Sequence, residues 1–486
     1  MDLAEVMDVI RAGLAATPSD VSHVVGQPPR LEEIFTPTRH SLALDPDSPI
    51  VVGARGTGKS FWASIFTDDA TRQAVAPTYP RLKLDSVVAR AGFVDQAIGT
   101  AVSRATMDEV AGFDEVRTAR LWLLIAIRAA EDVLGIPTFA SFEEAYTIYN
   151  KSEAIESRLR ALDEILSDRG IKLVVVFDAL DRLSNRWDRI RLRTSSLLEA
   201  LLALRAYRSI RFKLFMRPEQ LSSVPAAFTD LSKLKAGSFD LRWSQLDLYG
   251  LLFSDLLRRE ETSEAFKHLL SMLRIPVSTD MNNIFQLPGS LLHSSPAQER
   301  LFVRIAGPYM GADARRGRTY TWLPNHLSDT KGRVTPRSFL TALGAAARHE
   351  REPILGLALT IDGIKHGVSE ASVLRVEQLK DEYGWIDLAL QPLAGQEVPC
   401  YADAIYDRWH DADTLHEIER DSSTLGYLPP FLGSYSDADA NFNLLKALMD
   451  IGVIEVRSDG RVNIPDLFRI AALMLRRGGP RPLARG

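Results

Sequence analysis

The chain has a single cysteine, Cys400, in 486 residues. One cysteine excludes an intrachain disulfide framework and fits a reducing compartment. No run approaches the ~20 uninterrupted apolar residues that a membrane helix needs. The opening Met1-Asp2-Leu3-Ala4-Glu5-Val6 is acidic where a secretory leader would be basic. A charge bias is missing too: 58 Lys and Arg stand against 63 Asp and Glu, for a net −5. That balance argues against coating nucleic acid through bulk charge, and it leaves room only for a local basic surface such as a DNA contact. No internal repeat is found. These absences lead us to expect a cytoplasmic protein with no membrane association. What is present, 46% hydrophobic and 25% charged residues, is ordinary globular composition, and the length suggests about three domains.

Against that plain background one stretch stands out. Gly53-Ala54-Arg55-Gly56-Thr57-Gly58-Lys59-Ser60 is a complete G-x-x-x-x-G-K-[ST] loop. Its glycines let the backbone turn so that N–H groups converge on a phosphate. Lys59 can reach β- and γ-phosphates, and the Ser60 hydroxyl can enter a Mg²⁺ shell. Such a loop carries meaning only between a strand and a helix. Ser48-Pro49-Ile50-Val51-Val52 supplies the apolar run before it, and Ser60 to Phe66 has helical apolar spacing after it.

The rest of the chain reads as alternating strands and helices. Residues 2–16 form a short amphipathic helix, followed by a proline-marked approach (Pro18, Pro28, Pro29, Pro37) to the loop. Alternation predicts a strand at Arg81-Leu82-Lys83-Leu84-Asp85, and helical signals run from about 92 to 170. Within them Leu121–Ile127 is apolar almost all round, and Ser152–Asp168 is amphipathic and ended by Gly170. Ile171–Phe177 is an apolar strand closing on Asp178, of the kind covered on both faces in parallel sheets. A helix over 187–208 precedes a strand at 211–216, which ends at Arg217; a fifth strand at 239–243 precedes a helix to 259. Strand–helix alternation implies an α/β fold with a mostly parallel sheet. Past 260 the pattern turns helical, with a polar loop at 313–318, a helix capped by Thr335-Pro336-Arg337 and a loop-rich stretch at 400–436. The tail reads as helix, hairpin around Ser458-Asp459-Gly460, and a last helix opened by Pro465, the end of a winged helix. The expected organisation is an N-terminal helical segment (1–29), a P-loop core (30–260) with a helical insertion at about 92–170, a helical lid (261–399), a linker or small subdomain (400–439) and a winged-helix-like region (440–486).

A phosphate loop alone binds; turnover needs a metal carboxylate and a group to orient water. Asp178 stands at the strand end where a Mg²⁺-holding carboxylate belongs. Asp181 is either a second acid acting on the water or a solvated helix-start residue. Arg217 ends the next strand, where it is either a cation that meets a γ-phosphate or a partner in a surface salt bridge. Arg337, at the start of a later helix, is a second candidate cation. The run Arg182, Arg186, Arg189, Arg191 and Arg193 reads as a solvated helix face.

GARGTGKS, VVVFDALDRL, LFMRPEQ, LRWSQLDLYGLL and TPRSFL together resemble the ATPase core of the AAA+, KAP and STAND branch of P-loop proteins. The chain looks most like bacterial P-loop ATPases with a strand-end arginine and a C-terminal winged helix. The similarity spans about 30–350 and 440–479. It implies ATP and Mg²⁺ as cofactors, with Lys59 on phosphate, Ser60 and Asp178 on magnesium, Arg217 as γ-phosphate sensor and Arg337 as second sensor. Two departures matter. Ala179 stands where such proteins usually carry a glutamate that polarises water, so either Asp181 replaces it or hydrolysis is slow. Lys59 and Asp178 are also more than a hundred residues apart, which implies an insertion suited to a protein partner. The readings are an ATP-driven switch or mechanochemical regulator, in a defence or signalling setting for proteins of this build. A non-hydrolysing, ATP-licensed assembly protein and a DNA loader using the winged helix remain as alternatives.

Overall fold

After Lys172 the run Leu173–Phe177 is wholly apolar, and every residue of it is buried. In the computed structural model it is an interior strand of a five-stranded sheet whose paired strands are all parallel. The structure describes residues 1–17, 27–94, 99–184, 187–222, 230–280, 282–349, 356–425, 427 and 440–476. The strands are β1 (Ile50–Val52), β2 (Val87–Phe93), β3 (Lys172–Phe177), β4 (Ile210–Met216) and β5 (Phe239–Asp240), in the order β2-β3-β4-β1-β5. Alternate side chains of β3 enter different cores. Leu173, Val175 and Phe177 join the helices Glu115–Leu134, Ser152–Asp168 and Trp187–Ala203; Val174 and Val176 join Lys59–Thr67. The period of two thus builds a helix–sheet–helix sandwich.

Several contacts pin the strands. Trp122 packs edge-on against Phe177 at 5.5 Å and donates its indole N–H to Ser196 Oγ at 3.0 Å. The Asp163 carboxylate accepts from the N–H groups of Arg208, Ser209 and Ile210, setting the start of β4. Lys213, fully buried in β4, donates to the carbonyls of Leu42, Asp45 and Ser48 at 3.2, 2.8 and 2.7 Å. Burial pulls its pKa down to about 7, partly opposed by the charges of Asp45 and Asp47. The chain entering β1 is therefore tied to β4.

The alternation at 81–85 does not make a strand. Pro80–Leu82 and Leu84–Ser86 are single 3-10 turns joined by Lys83 at φ 50°, and the strand starts at Val87. Five alternating residues are too few to separate a strand from turns, and Pro80 presets the first turn.

By contact the chain forms two compact units, Ser22–Leu241 and Met1–Val21 with Arg242–Gly486. In the second unit the helix Leu3–Ala15 inserts Val6, Met7, Ile10 and Leu14 into a core shared with Glu260–Met272 and Pro336–Arg348. The stretch expected to be loop-rich carries two helices, Ala402–Asp411 and Thr414–Leu425. Their acidic composition hides three apolar anchors, Ile405, Trp409 and Ile418, each buried in the unit's core. The end of that stretch, 428–436, lies outside the described residues. The tail has the winged-helix-like order: helix Ala440–Asp450, antiparallel Glu455–Val456 and Val462–Asn463, then helix Asp466–Arg469. No described helix is long and apolar enough to cross a membrane.

Candidate functional site

β1 ends at Val52 and the helix Lys59–Thr67 begins seven residues later, so Gly53–Gly58 form the connecting loop. Gly56 and Gly58 sit at φ 82° and 96°, a region that side chains strongly disfavour. The loop is internally braced. Thr57 Oγ1 donates to the Ala54 carbonyl at 2.8 Å, and Lys59 Nζ donates to the carbonyls of Gly53 and Ala54 at 2.8 and 3.1 Å. Residues 54–56 and 58–60 are all partly exposed.

Strand order decides what meets this loop. β4 lies between β1 and β3, with Val52 paired to Met216 and Phe177 to Leu214. Arg217 and Asp178 therefore leave the sheet at the same C-terminal edge as the loop, where open parallel sheets bind ligands. The Gly53 N–H donates to the Met216 carbonyl at 3.0 Å, which sets Arg217 directly beside the start of the loop.

Asp178 is 4% exposed. Burial raises its pKa above the usual carboxylate range; the Ser60 hydroxyl and the Ala179 N–H donate to it, and the Lys59 charge also pulls it down. The neighbouring Asp181 carboxylate pushes it up again. Hydroxyl and carboxylate are hard oxygen donors, and they stand together. Among the described residues no group of three His, Cys, Asp or Glu gathers as a metal cage. One carboxylate and one hydroxyl instead fit Mg²⁺, which keeps waters and takes its other ligands from phosphates.

Ala179 has φ 52° and ψ 38°, the left-handed region, at a cost on the order of 1 kcal/mol for a residue with a Cβ. The chain then enters the 3-10 turn Leu180–Arg182, and Asp181 Oδ2 lies 2.9 Å from Arg217 Nη2. Arg217 has a second carboxylate, Glu219, at 4.0 Å, and its backbone N–H donates to Gln220 Oε1 at 2.8 Å.

The structure thus gathers Gly53 to Ser60, Asp178, Asp181 and Arg217 at one sheet edge. Arg337 belongs to the other unit, half-buried in the first turn of Pro336–Arg348, whose cap is the Thr335 hydroxyl accepting from Ser338 N–H at 3.1 Å. The arginine run is not uniformly solvated. Arg182 and Arg191 are exposed, but Arg193 is fully buried and bound to Asp108 and to the carbonyls of Leu183 and Gly112. Arg189 lies against the Phe113 ring, and Arg186 falls outside the described residues. Charge spacing on one helix cannot foresee an acid arriving from a distant helix.

Two contributors escaped the sequence reading. Gln220 is 2% exposed and fixes the Arg217 backbone as a capping residue would. Its signal was available, since Pro218 and Gln220 occupy the first and third positions of the helix Pro218–Ser222. The backbone conformation of Ala179 had no signal, because alanine there is unexceptional in sequence.

No protein-family model matches the chain, and no curated protein does. Among solved structures, the ORC2 protein of Aeropyrum pernix, described as ADPNP–ADP complexes, aligns over 91% of this chain and 94% of its own, at 13% identity and TM-score 0.39. CDC6P of Pyrobaculum aerophilum covers 94% and 95% at 12% identity and TM-score 0.29. A Walker-type ATPase of Pyrococcus abyssi covers 94% and 99% at 11% identity and TM-score 0.33.

Proposed function

We propose that the sheet unit binds ATP with Mg²⁺ and hydrolyses it slowly, and that the protein works as a nucleotide-dependent switch or mechanochemical regulator. The observation that carries this reading is the strand–loop–helix phosphate cradle Gly53–Ser60, with Lys59 Nζ on its loop carbonyls and with Asp178 and Arg217 leaving the sheet at the same edge. Loop N–H groups and the Lys59 ammonium hold the β- and γ-phosphates. Ser60 and Asp178 would hold the metal, which would supply neutralisation of charge on the phosphate oxygens. Arg217 faces the γ-phosphate, and Asp181 takes the proton of the attacking water. Arg337 is kept as the second candidate cation, and its test is Arg337→Ala. Ala179 leaves the usual water-polarising position without a carboxylate, so turnover falls below the ~1–100 s⁻¹ of typical kinases.

The setting we favour is a cytoplasmic ATPase of the bacterial AAA+, KAP and STAND kind, in defence or signalling, with a protein partner or self-assembly as its output. Ala179 also favours a second reading, an assembly protein that ATP licenses without turnover. A DNA loader finds less support: in the tail Arg469 is buried, Arg476 bonds Asn463 and Ile464, and Arg461 pairs with Asp459.

Thermal unfolding with and without ATP and Mg²⁺ tests nucleotide binding. At a hundred times Kd the linkage is about 2.7 kcal/mol, and Lys59→Ala abolishes most of it while the apo protein stays folded. An equal melting shift in Lys59→Ala overturns the reading.

A further inference from the structure

Asp181 and Arg217 follow different strands of the sheet unit, and the sequence leaves each open between a catalytic role, on water or on phosphate, and a plain surface one. They are instead an ion pair at 2.9 Å, with side chains 35% and 15% exposed. We propose that this pair is a latch: Arg217 holds Asp181 until a γ-phosphate competes for the guanidinium, and the exchange frees Asp181 for the attacking water. The proposal rests on the nucleotide reading above and deepens it.

The geometry supports exchange over a permanent brace. Arg217 follows β4 directly, and its backbone is fixed from both sides, by the Gly53 N–H on the Met216 carbonyl and by Gln220 on its own N–H. The Cα is anchored while a long side chain swings, so the guanidinium can change partners without the strand moving. Glu219, at 4.0 Å, offers an acidic neighbour during the swing. Asp181 sits in a one-turn 3-10 helix entered through the left-handed Ala179, three residues after Asp178 at the sheet edge that carries the phosphate loop. A carboxylate at that edge, once released by Arg217, is placed for water at the γ-phosphate. No bond is made or broken in the exchange itself. In the step it permits, the water oxygen bonds to the γ-phosphorus, the bond to the β-phosphate oxygen breaks with ADP leaving, and Asp181 receives the proton. Arg217 is thus a positioning residue for Asp181 as well as a contact for phosphate.

The latch makes a prediction that a plain base or a plain brace does not. In the wild type, ATP must displace Asp181 from Arg217, whereas ADP need not. Asp181→Asn removes that competitor, so it should tighten the non-hydrolysable analogue ADPNP relative to ADP even as turnover of ATP falls at least ten-fold. Calorimetric titration of the full chain with Mg²⁺ reads the ratio of ADP to ADPNP dissociation constants. The expected ratio rises about ten-fold in Asp181→Asn, the scale of one charge-assisted contact. In Arg217→Ala the ratio falls, and adding Asp181→Asn to Arg217→Ala changes it no further. An unchanged ratio in Asp181→Asn, or the same change with and without Arg217, overturns the latch while the nucleotide reading stands. A wild type that binds neither nucleotide overturns both.

Discussion

In the helical unit Asp466 is 5% exposed, 2.7 Å from Arg469 and 3.2 Å from Arg476, with its second oxygen 3.5 Å from His326 Nε2. In the sheet unit Asp178 is equally buried, but its company is a hydroxyl, a backbone N–H and a lysine whose ammonium is bonded to loop carbonyls. The first carboxylate is answered by charges that are themselves answered: Arg469 also donates to the Met474 carbonyl, and Arg476 to Asn463 and the Ile464 carbonyl. The second has its pKa raised chiefly by burial, next to groups that solvent and ligands can reach. One buried acid completes a fold; the other is suited to completing a ligand's coordination.

The largest effect that would sharpen this contrast is on Asp466. Asp466→Ala leaves Arg469 charged, 0% exposed and without its carboxylate, and breaking such a pair typically costs about 3–5 kcal/mol. Denaturant unfolding should show that loss, and saturating ATP should not relieve it. A loss below 1 kcal/mol, within the range of ordinary surface substitutions, would mean the network is not what holds the tail.

Asp178→Asn should behave in the opposite way. Removing a charge whose burial is unfavourable leaves apo stability within about 1 kcal/mol of the wild type, or above it, while ATP affinity loses its Mg²⁺ dependence. If the apo protein were instead destabilised as strongly as by Asp466→Ala, the two acids would be alike and the comparison would fail.

The smallest effect concerns pH. Burial, partly opposed by the Trp322 carbonyl and Asp466, lowers the His326 pKa below its ordinary 6.5. The unfolded chain then binds the proton more readily than the folded one. This contribution to stability is fully present above pH 6.5 and is lost as pH falls toward the folded pKa. Unfolding of the wild type between pH 7 and 5, compared with His326→Gln, should differ by less than about 1 kcal/mol, with the variant less sensitive to acid. Equal acid sensitivity in the two would remove His326 from the network.

How far these units were legible in sequence follows the range of the interactions. Gly53–Ser60, the helix Ser152–Asp168 with Gly170 after it, and the apolar strand before Asp178 announce themselves within a dozen residues, because local sterics and capping decide them. The helices at 402–425 did not, since their stability rests on three anchors entering a distant core. Arg193 reads as one more solvated arginine until Asp108 arrives beside it.

From sequence alone, then, came a phosphate loop, a carboxylate at a strand end, an arginine at the next strand end and a helix–hairpin–helix tail. Only the tertiary structure placed β4 between β1 and β3, set Arg217 beside the loop and turned Asp181 onto it. The physical reason is that parallel strands pair across long intervening segments, so their order is set by burial of both sheet faces and not by neighbouring residues. The left-handed turn at Ala179 is of the same kind, because no local preference of alanine asks for it.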